Sequence, residues 1–354
     1  MNQPQQVSET MQMKSSTHAG PSPAKIARAP KAELHVHLEG TIGPETLLAL
    51  SARNQVKVPY TTADEVRAAY KFTDLSGFLQ LYYSALSVLI TRQDFYDITY
   101  AQLKRSAEDR VVYVEFYMSP QSHLERGIGL EVVLAGTEAA IAAARADFGI
   151  EAKLIFGLQR HRTESQAFEA LEAARPFRES FVAVGLGGVE KGNPPSKFER
   201  AFRQAKDMGW PITIHAGEEG PPSYIWEALD ILGADRIDHG VTAQEDPRLI
   251  ERLATDQIPM TVCPFSNICL NVFPSLAQHN LKSLLDAGCR VSVNTDDPPY
   301  FNGYMNDNLV GVASALRLSD GDVYSLLRNG FQGSFAPAER KAELIAGLDK
   351  FWLI

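Results

Sequence analysis

Residues 33–38 read Glu33-Leu34-His35-Val36-His37-Leu38, a short apolar run in which two histidines share one parity. A period of two places His35 and His37 on the same face of a β-strand. Comparable runs recur at Val111–Met118, Lys153–Leu158, Val182–Leu186, Pro211–His215, Arg236–His239, Met260–Cys263 and Arg290–Asn294, each ending in polar or turn residues. Between most of them lie amphipathic stretches with helical spacing, such as Leu130–Ala144, Ser196–Met208, Tyr224–Leu232 and Pro247–Thr255. Strand–helix alternation of this kind implies parallel strands joined by crossover helices. The eight units predict an α/β fold of the (β/α)8 TIM barrel class. A doubly wound sheet is the rival, but no G-x-G-x-x-G turn follows a strand.

One interval breaks the rhythm. Thr41 to Arg110 holds no strand-like run, and Pro44–Leu50, Ala63–Tyr70, Leu75–Leu89 and Asp94–Ala107 read as helices inserted after the first strand. Long insertions after a barrel strand commonly build pocket walls and lids. Upstream, residues 1–30 are rich in Gln, Ser, Thr, Pro and Ala, and they read as a disordered tail in which His18 is solvated. The tail lacks the apolar core of a secretory signal. Residues 31–354 then form one barrel domain, with the insertion at about 41–110.

Composition sets the outer limits. The chain has 354 residues, 34 Lys+Arg against 43 Asp+Glu, a net charge of −9 and 45% hydrophobic residues. That balance argues against a nucleic-acid backbone binder. No apolar run approaches the ~20 residues that span a bilayer, so a membrane protein is excluded. Cys263, Cys269 and Cys289 form an odd set without a C-x-x-C pair, which excludes a disulfide scaffold and fits the reducing cytoplasm.

The chemistry gathers at the strand ends. His35 and His37 close the first strand, His215 the fifth, His239 the sixth and Asp296-Asp297 the eighth, with Glu218 three residues beyond His215. A parallel barrel brings all strand C-termini to one mouth. His35, His37, His215 and Asp296 would supply three nitrogens and one oxygen, a donor set suited to catalytic Zn²⁺ with an open position for water. Glu218 and His239 remain as acid/base candidates, although Glu218 alone also reads as a helix N-terminal residue, as does Glu219. Asp238 is either an orienting group or a solvated turn residue. Cys263 reads as a buried inert thiol, and His123, His161 and His279 as structural or surface residues.

Five motifs, K-A-E-L-H-V-H-L-E-G-T, H-A-G-E-E-G-P, R-I-D-H-G, C-P-F-S-N and N-T-D-D-P-P-Y-F, together resemble the adenosine/adenine deaminase family of the amidohydrolase superfamily, in order and spacing from Lys31 to about Ala336. The resemblance implies one zinc ion per subunit on His35, His37, His215 and Asp296. It implies that Glu218 protonates purine N1, that His239 orients or deprotonates the attacking water, that Asp297 bonds N7, and that the Gly188 N–H meets N3. The family's nucleoside members carry H-x-H-L-D-G. Glu39 stands in place of that Asp here, as in adenine deaminases, and its longer side chain would fill the ribose space. The resemblance therefore implies hydrolysis of adenine to hypoxanthine and ammonia, a purine-salvage reaction whose partners are a purine base and water. Because G-L-G-G-V-E departs from the acidic-Ser pattern usual after G-L, N6-substituted adenines stand as an alternative substrate, with adenosine third. A non-catalytic purine-binding relative is a further reading, weakened by the complete set of site residues.

Overall fold

Asp296 closes the molecule on itself. In the computed structural model, which describes residues 20–72 and 74–353, its backbone N–H donates to the His35 carbonyl at 3.0 Å, and its carbonyl accepts the His37 N–H at 2.9 Å. Its bridge to Val36 is parallel. Beside it, the Asn294 side chain accepts the Leu34 N–H at 2.8 Å. These bonds join the two edges of an eight-stranded parallel sheet whose spatial order is the chain order. The strands are β1 (Lys31–His37), β2 (Val111–Met118), β3 (Glu151–Gln159), β4 (Phe181–Gly187), β5 (Ile212–Ala216), β6 (Arg236–His239), β7 (Pro259–Val262) and β8 (Arg290–Val293). The expected barrel is present, and every expected strand falls within two residues of an observed one.

The interior departs from the branched apolar packing usual in such barrels. A polar column runs through it. Arg236 and Asp238 share the inward parity of β6, with Arg236 Nε 3.4 Å from Asp238 Oδ1, and Arg236 Nη1 donates to Glu115 of β2 at 2.6 Å. The apolar residues of the strands' outer faces pack against the surrounding helices in the main core, which includes Leu34, Val114, Ile214 and Val291.

The insertion forms helices α2 (Pro44–Asn54), α3 (Ala63–Ala69), α4 (Leu75–Ala85) and α5 (Arg92–Glu108). Their starts follow local capping: Thr62, Asp74 and Thr91 each accept a backbone N–H from the first turn. Helix α4 buries Leu75, Phe78, Leu79 and Tyr82 against Leu270, Tyr300 and Phe301, in a cluster separate from the main core. That cluster roofs the barrel mouth.

The expected tail requires a correction at its end. Helix α1 (Pro23–Arg28) begins at Ser22, whose side chain accepts the Lys25 N–H, and it buries Ile26. Lys25 also pairs with Asp320 at 2.8 Å. The Ser-Pro start and the single apolar residue were hidden in a composition that looks tail-like. Residues 1–19, His18 among them, lie outside the described residues. No described helix is long and apolar enough to cross a membrane.

Candidate active site

Four strand ends converge on one point. Asp296 Oδ1 lies 3.2 Å from His37 Nε2 and 3.5 Å from His35 Nε2, and His37 Nε2 lies 3.3 Å from His215 Nε2. For metal–ligand bonds of about 2.0–2.1 Å, the edge of a tetrahedron is about 3.4 Å. The three separations are close to that edge, so these donor atoms are spaced to hold a single cation. His35 Nε2 is fully buried and has no hydrogen-bond partner within the protein, although buried polar atoms are normally paired. Ligand atoms of His35, His215 and His239 also lie within 4.8 Å of one another, as do those of His239, Cys263 and Asp296.

Two of the converging rings have polar neighbours on their far sides. His35 Nδ1 meets Thr261 Oγ1 at 3.1 Å, and His215 Nδ1 lies 3.5 Å from Asp238 Oδ2. Asp238 itself accepts from Thr261 and Thr213, each at 2.7 Å, and from Tyr117. It is fully buried. The structure thus chooses between the two readings of Asp238: it is enclosed beside the His35 and His215 rings and is not a solvated turn residue. Burial alone would raise its pKa, but the His215 ring and the Arg236 guanidinium hold it well below the usual carboxylate range. His215 is pushed down to about 4, chiefly by burial, which keeps the imidazole in the neutral form that binds metals.

Around this point lie the groups that can move protons. His239 and Asp296 have left-handed backbones, φ +64° and +65°, a conformation uncommon outside glycine that here aims both side chains into the mouth. His239 Nε2 is 3.6 Å from Glu218 Oε2 and 3.9 Å from Asp296 Oδ2. Burial, with Asp296 and Glu190 nearby, raises Glu218 well above the ordinary carboxyl range. That direction favours the protonated form. Burial and the adjoining Asp296 do the same to Asp297, whose Oδ1 is buried without a partner. His239 is held neutral by burial and by the neighbouring His35.

These groups line a pocket of about 550 Å³, including its open mouth, with His37, His215, Glu218, His239, Asp296 and Asp297 on one side. Leu75, Phe78, Leu79, Tyr82 and Tyr83 from α4, with Met118 and Leu158, form an apolar wall opposite. Gly187 and Gly188 lie at the rim. Gly188 has φ +96°, and a Cβ there would sit 3.3 Å from His161 Nδ1 and 3.4 Å from Tyr83 Oη. Gly188 leaves room for Tyr83, and Gly187 leaves room for the His215 ring.

Glu39 differs from its expected place. It is not among the lining residues; it lies buried behind the wall, where it accepts the Ser119 N–H at 2.9 Å and the Tyr82 hydroxyl at 3.3 Å. His123 Nε2 meets it at 2.7 Å. Because Arg126 donates to His123 Nδ1 at 2.8 Å, the ring proton is on Nε2 and points at Glu39. The extra methylene carries the carboxylate past the pocket to a buried histidine, so Glu39 shapes the cavity by holding Tyr82 and Ser119. Cys263 stays a thiol, its pKa raised by burial and then by Asp296. The wall formed by α4 agrees with the expectation that the insertion lines the pocket, whereas Glu190 stood inside a quoted motif without a pattern to mark it.

A family model described as adenosine deaminase matches residues 30–351. An adenine deaminase from Cupriavidus taiwanensis is 49% identical over 328 residues, covering 93% of each chain. The crystal structure of an adenine deaminase from Arthrobacter aurescens superposes with a TM-score of 0.90 at 43% identity, covering 92% of this chain and all of that one. An amidohydrolase from Burkhoderia ambifaria with bound Zn has a TM-score of 0.85 at 26% identity, covering 93% of each chain.

Proposed function

The chain belongs to the adenosine deaminase family, and on that footing we propose that it hydrolyses adenine to hypoxanthine and ammonia with one Zn²⁺ held by His35, His37, His215 and Asp296. The observation that carries this reading is the set of separations of 3.2–3.5 Å among those ligand atoms, beside two buried carboxyl groups facing the same pocket. Bound zinc would supply Lewis-acid activation of water, lowering its pKa towards about 7.

The protein's own groups account for the rest. Glu218, protonated in its buried setting, places a hydrogen-bond donor at purine N1 and holds the proton there as C6 loses aromatic character. Asp297 offers its unpartnered carboxyl to N7. His239, neutral and within reach of Glu218 and Asp296, orients the water. The Gly188 N–H is the proposed contact for N3. The α4 wall excludes bulk water and stacks against a flat, uncharged heterocycle, which suits a net-acidic protein. Relatives named adenine deaminase at about half identity support the free base over the nucleoside. The proposed setting is the cytoplasm, where Cys263, Cys269 and Cys289, all free, stay reduced.

The test is side-by-side turnover of adenine, adenosine and N6-isopentenyladenine by zinc-loaded protein, following release of ammonia or amine. Adenine is expected to give the highest kcat/KM. A higher value for adenosine would overturn the assignment to the free base, and a higher value for the substituted base would point to the space around Gly187 and Gly188.

A further inference from the structure

The loop that carries Glu218 wraps around another carboxylate. Glu190, in the connection after β4 and fully buried, accepts four consecutive backbone N–H groups. Oε1 takes Gly217 at 2.7 Å, and Oε2 takes Glu218 at 3.0 Å, Glu219 at 2.8 Å and Gly220 at 2.8 Å. Successive N–H groups around a left-handed residue form an anion-binding concavity, and Gly217 at φ +73° supplies that residue. A Cβ on Gly220 would come within 2.5 Å of Glu190 Oε1, so the glycine is required by the carboxylate it encloses. On the far side, Arg160 Nη1 lies 3.9 Å from Glu190 and donates to the His215 carbonyl at 2.7 Å. Arg160 thus ties the strand end that bears His215 to the carboxylate that holds the loop.

We propose that Glu190 is a positioning residue for Glu218, fixing the backbone from which the acid reaches the substrate. The inference rests on the reading of Glu218 as the proton donor. Glu190 is not itself among the residues lining the pocket; it acts by holding the Gly217–Gly220 turn in one shape. A carboxylate suits this role because every contact is an N–H. A glutamine of the same size would turn an amide N–H towards at least one of them and open the turn. Neither the loop's own side chains nor a helix could replace it, since the four N–H groups precede the helix Pro222–Asp230 and have no other acceptor in view.

The experiment is a double-mutant cycle on zinc-loaded protein turning over adenine, using Glu190→Gln, Glu218→Gln and the double variant. Glu218→Gln is expected to lose about 10²–10⁴-fold in kcat, the usual contribution of a general acid. Glu190→Gln is expected to lose at least about tenfold in kcat with little change in KM, because the substrate contacts outside the loop remain. The double variant is expected to be no slower than Glu218→Gln, since a group acting through another adds nothing once that one is gone. Glu190→Asp, which keeps the charge but withdraws it, should fall between wild type and Glu190→Gln. It also serves as the second variant should the glutamine fail to fold. Hydrogen exchange of the backbone amides of residues 217–220 should quicken in Glu190→Gln with or without zinc. Wild-type kcat in Glu190→Gln, additive losses in the double variant, or unchanged exchange would each overturn the inference. Wild-type turnover in Glu218→Gln would instead overturn the proposed role of the acid.

Discussion

Two layers of the barrel interior bury charge in opposite ways. In the lower layer, Arg236 is completely enclosed, and its guanidinium is spent on the protein. It donates to Glu115 at 2.6 Å, to the Gly333 carbonyl at 3.3 Å, to Leu34 at 3.2 Å and to Thr213 at 3.1 Å. Glu115 takes the Tyr113 hydroxyl and the Phe335 N–H on its other oxygen. At the mouth, three residues further along β6, the polar atoms are just as buried, yet His35 Nε2, His239 Nδ1 and Asp297 Oδ1 have no partner. Burial therefore does not distinguish a working site from a structural one in this molecule. Completeness of hydrogen bonding does: the lower layer is closed, and the upper layer is built to receive something.

That contrast can be attacked from both sides. The largest effect is expected from His215→Ala at the mouth, which should abolish both zinc retention, read by elemental analysis, and turnover; full zinc occupancy in the variant would break the assignment of ligands. Glu115→Gln in the lower layer should behave in the reverse manner. It leaves Arg236 buried against a neutral partner, at a cost of roughly 3–5 kcal/mol read by denaturant unfolding, while kcat per folded molecule stays at the wild-type value. A loss of kcat without a loss of stability would mean that the two layers are not separable.

A smaller effect concerns His279, which lies in neither layer. Burial pushes it down to about 4 from 6.5, with its Nδ1 accepting the Leu281 N–H at 3.0 Å. Neutral in the fold and protonated in the unfolded chain, it contributes stability that is complete above pH 6.5 and lost as pH falls towards 4. The span is about 3 kcal/mol. His279→Gln should flatten the acid side of a melting-temperature profile over that window; an unchanged slope would remove His279 from the account. Cys263→Ala should leave kcat near wild type despite its place beside His239 and Asp296, because an uncharged thiol has no nucleophilic part to play. Strong inactivation would revive a thiolate.

What could be read in advance divides along physical lines. Strand periods and turn residues are local signals, so Val111–Met118 and Arg236–His239 were legible to the residue. The meeting of His35, His37, His215 and Asp296 was legible because a parallel barrel sends every strand end to one place. Asp238 was left between an orienting group and a turn residue, because the partners that decide its place come from β2, β5 and β7. Glu39 was read as a pocket filler because the bond to His123, 84 residues away, leaves no trace in spacing. Glu190 was illegible for a related reason. Its contacts are backbone N–H groups, which every residue but proline possesses, so no side-chain pattern announces them.

The seam at Asp296 has a consequence for how the molecule comes into being. The first strand carries two of the proposed ligands and the last segment of the ring carries another, and the bonds that join them connect residues as far apart as Leu34 and Asn294, separated by 260 positions. Contacts of such separation form late, after the entropy of closing the intervening chain has been met. A nascent chain that has not yet released its eighth strand has no complete metal site to fill. An ion held by His35, His37, His215 and Asp296 would link the first strand to the segment after the last, and so join the beginning of the ring to its end.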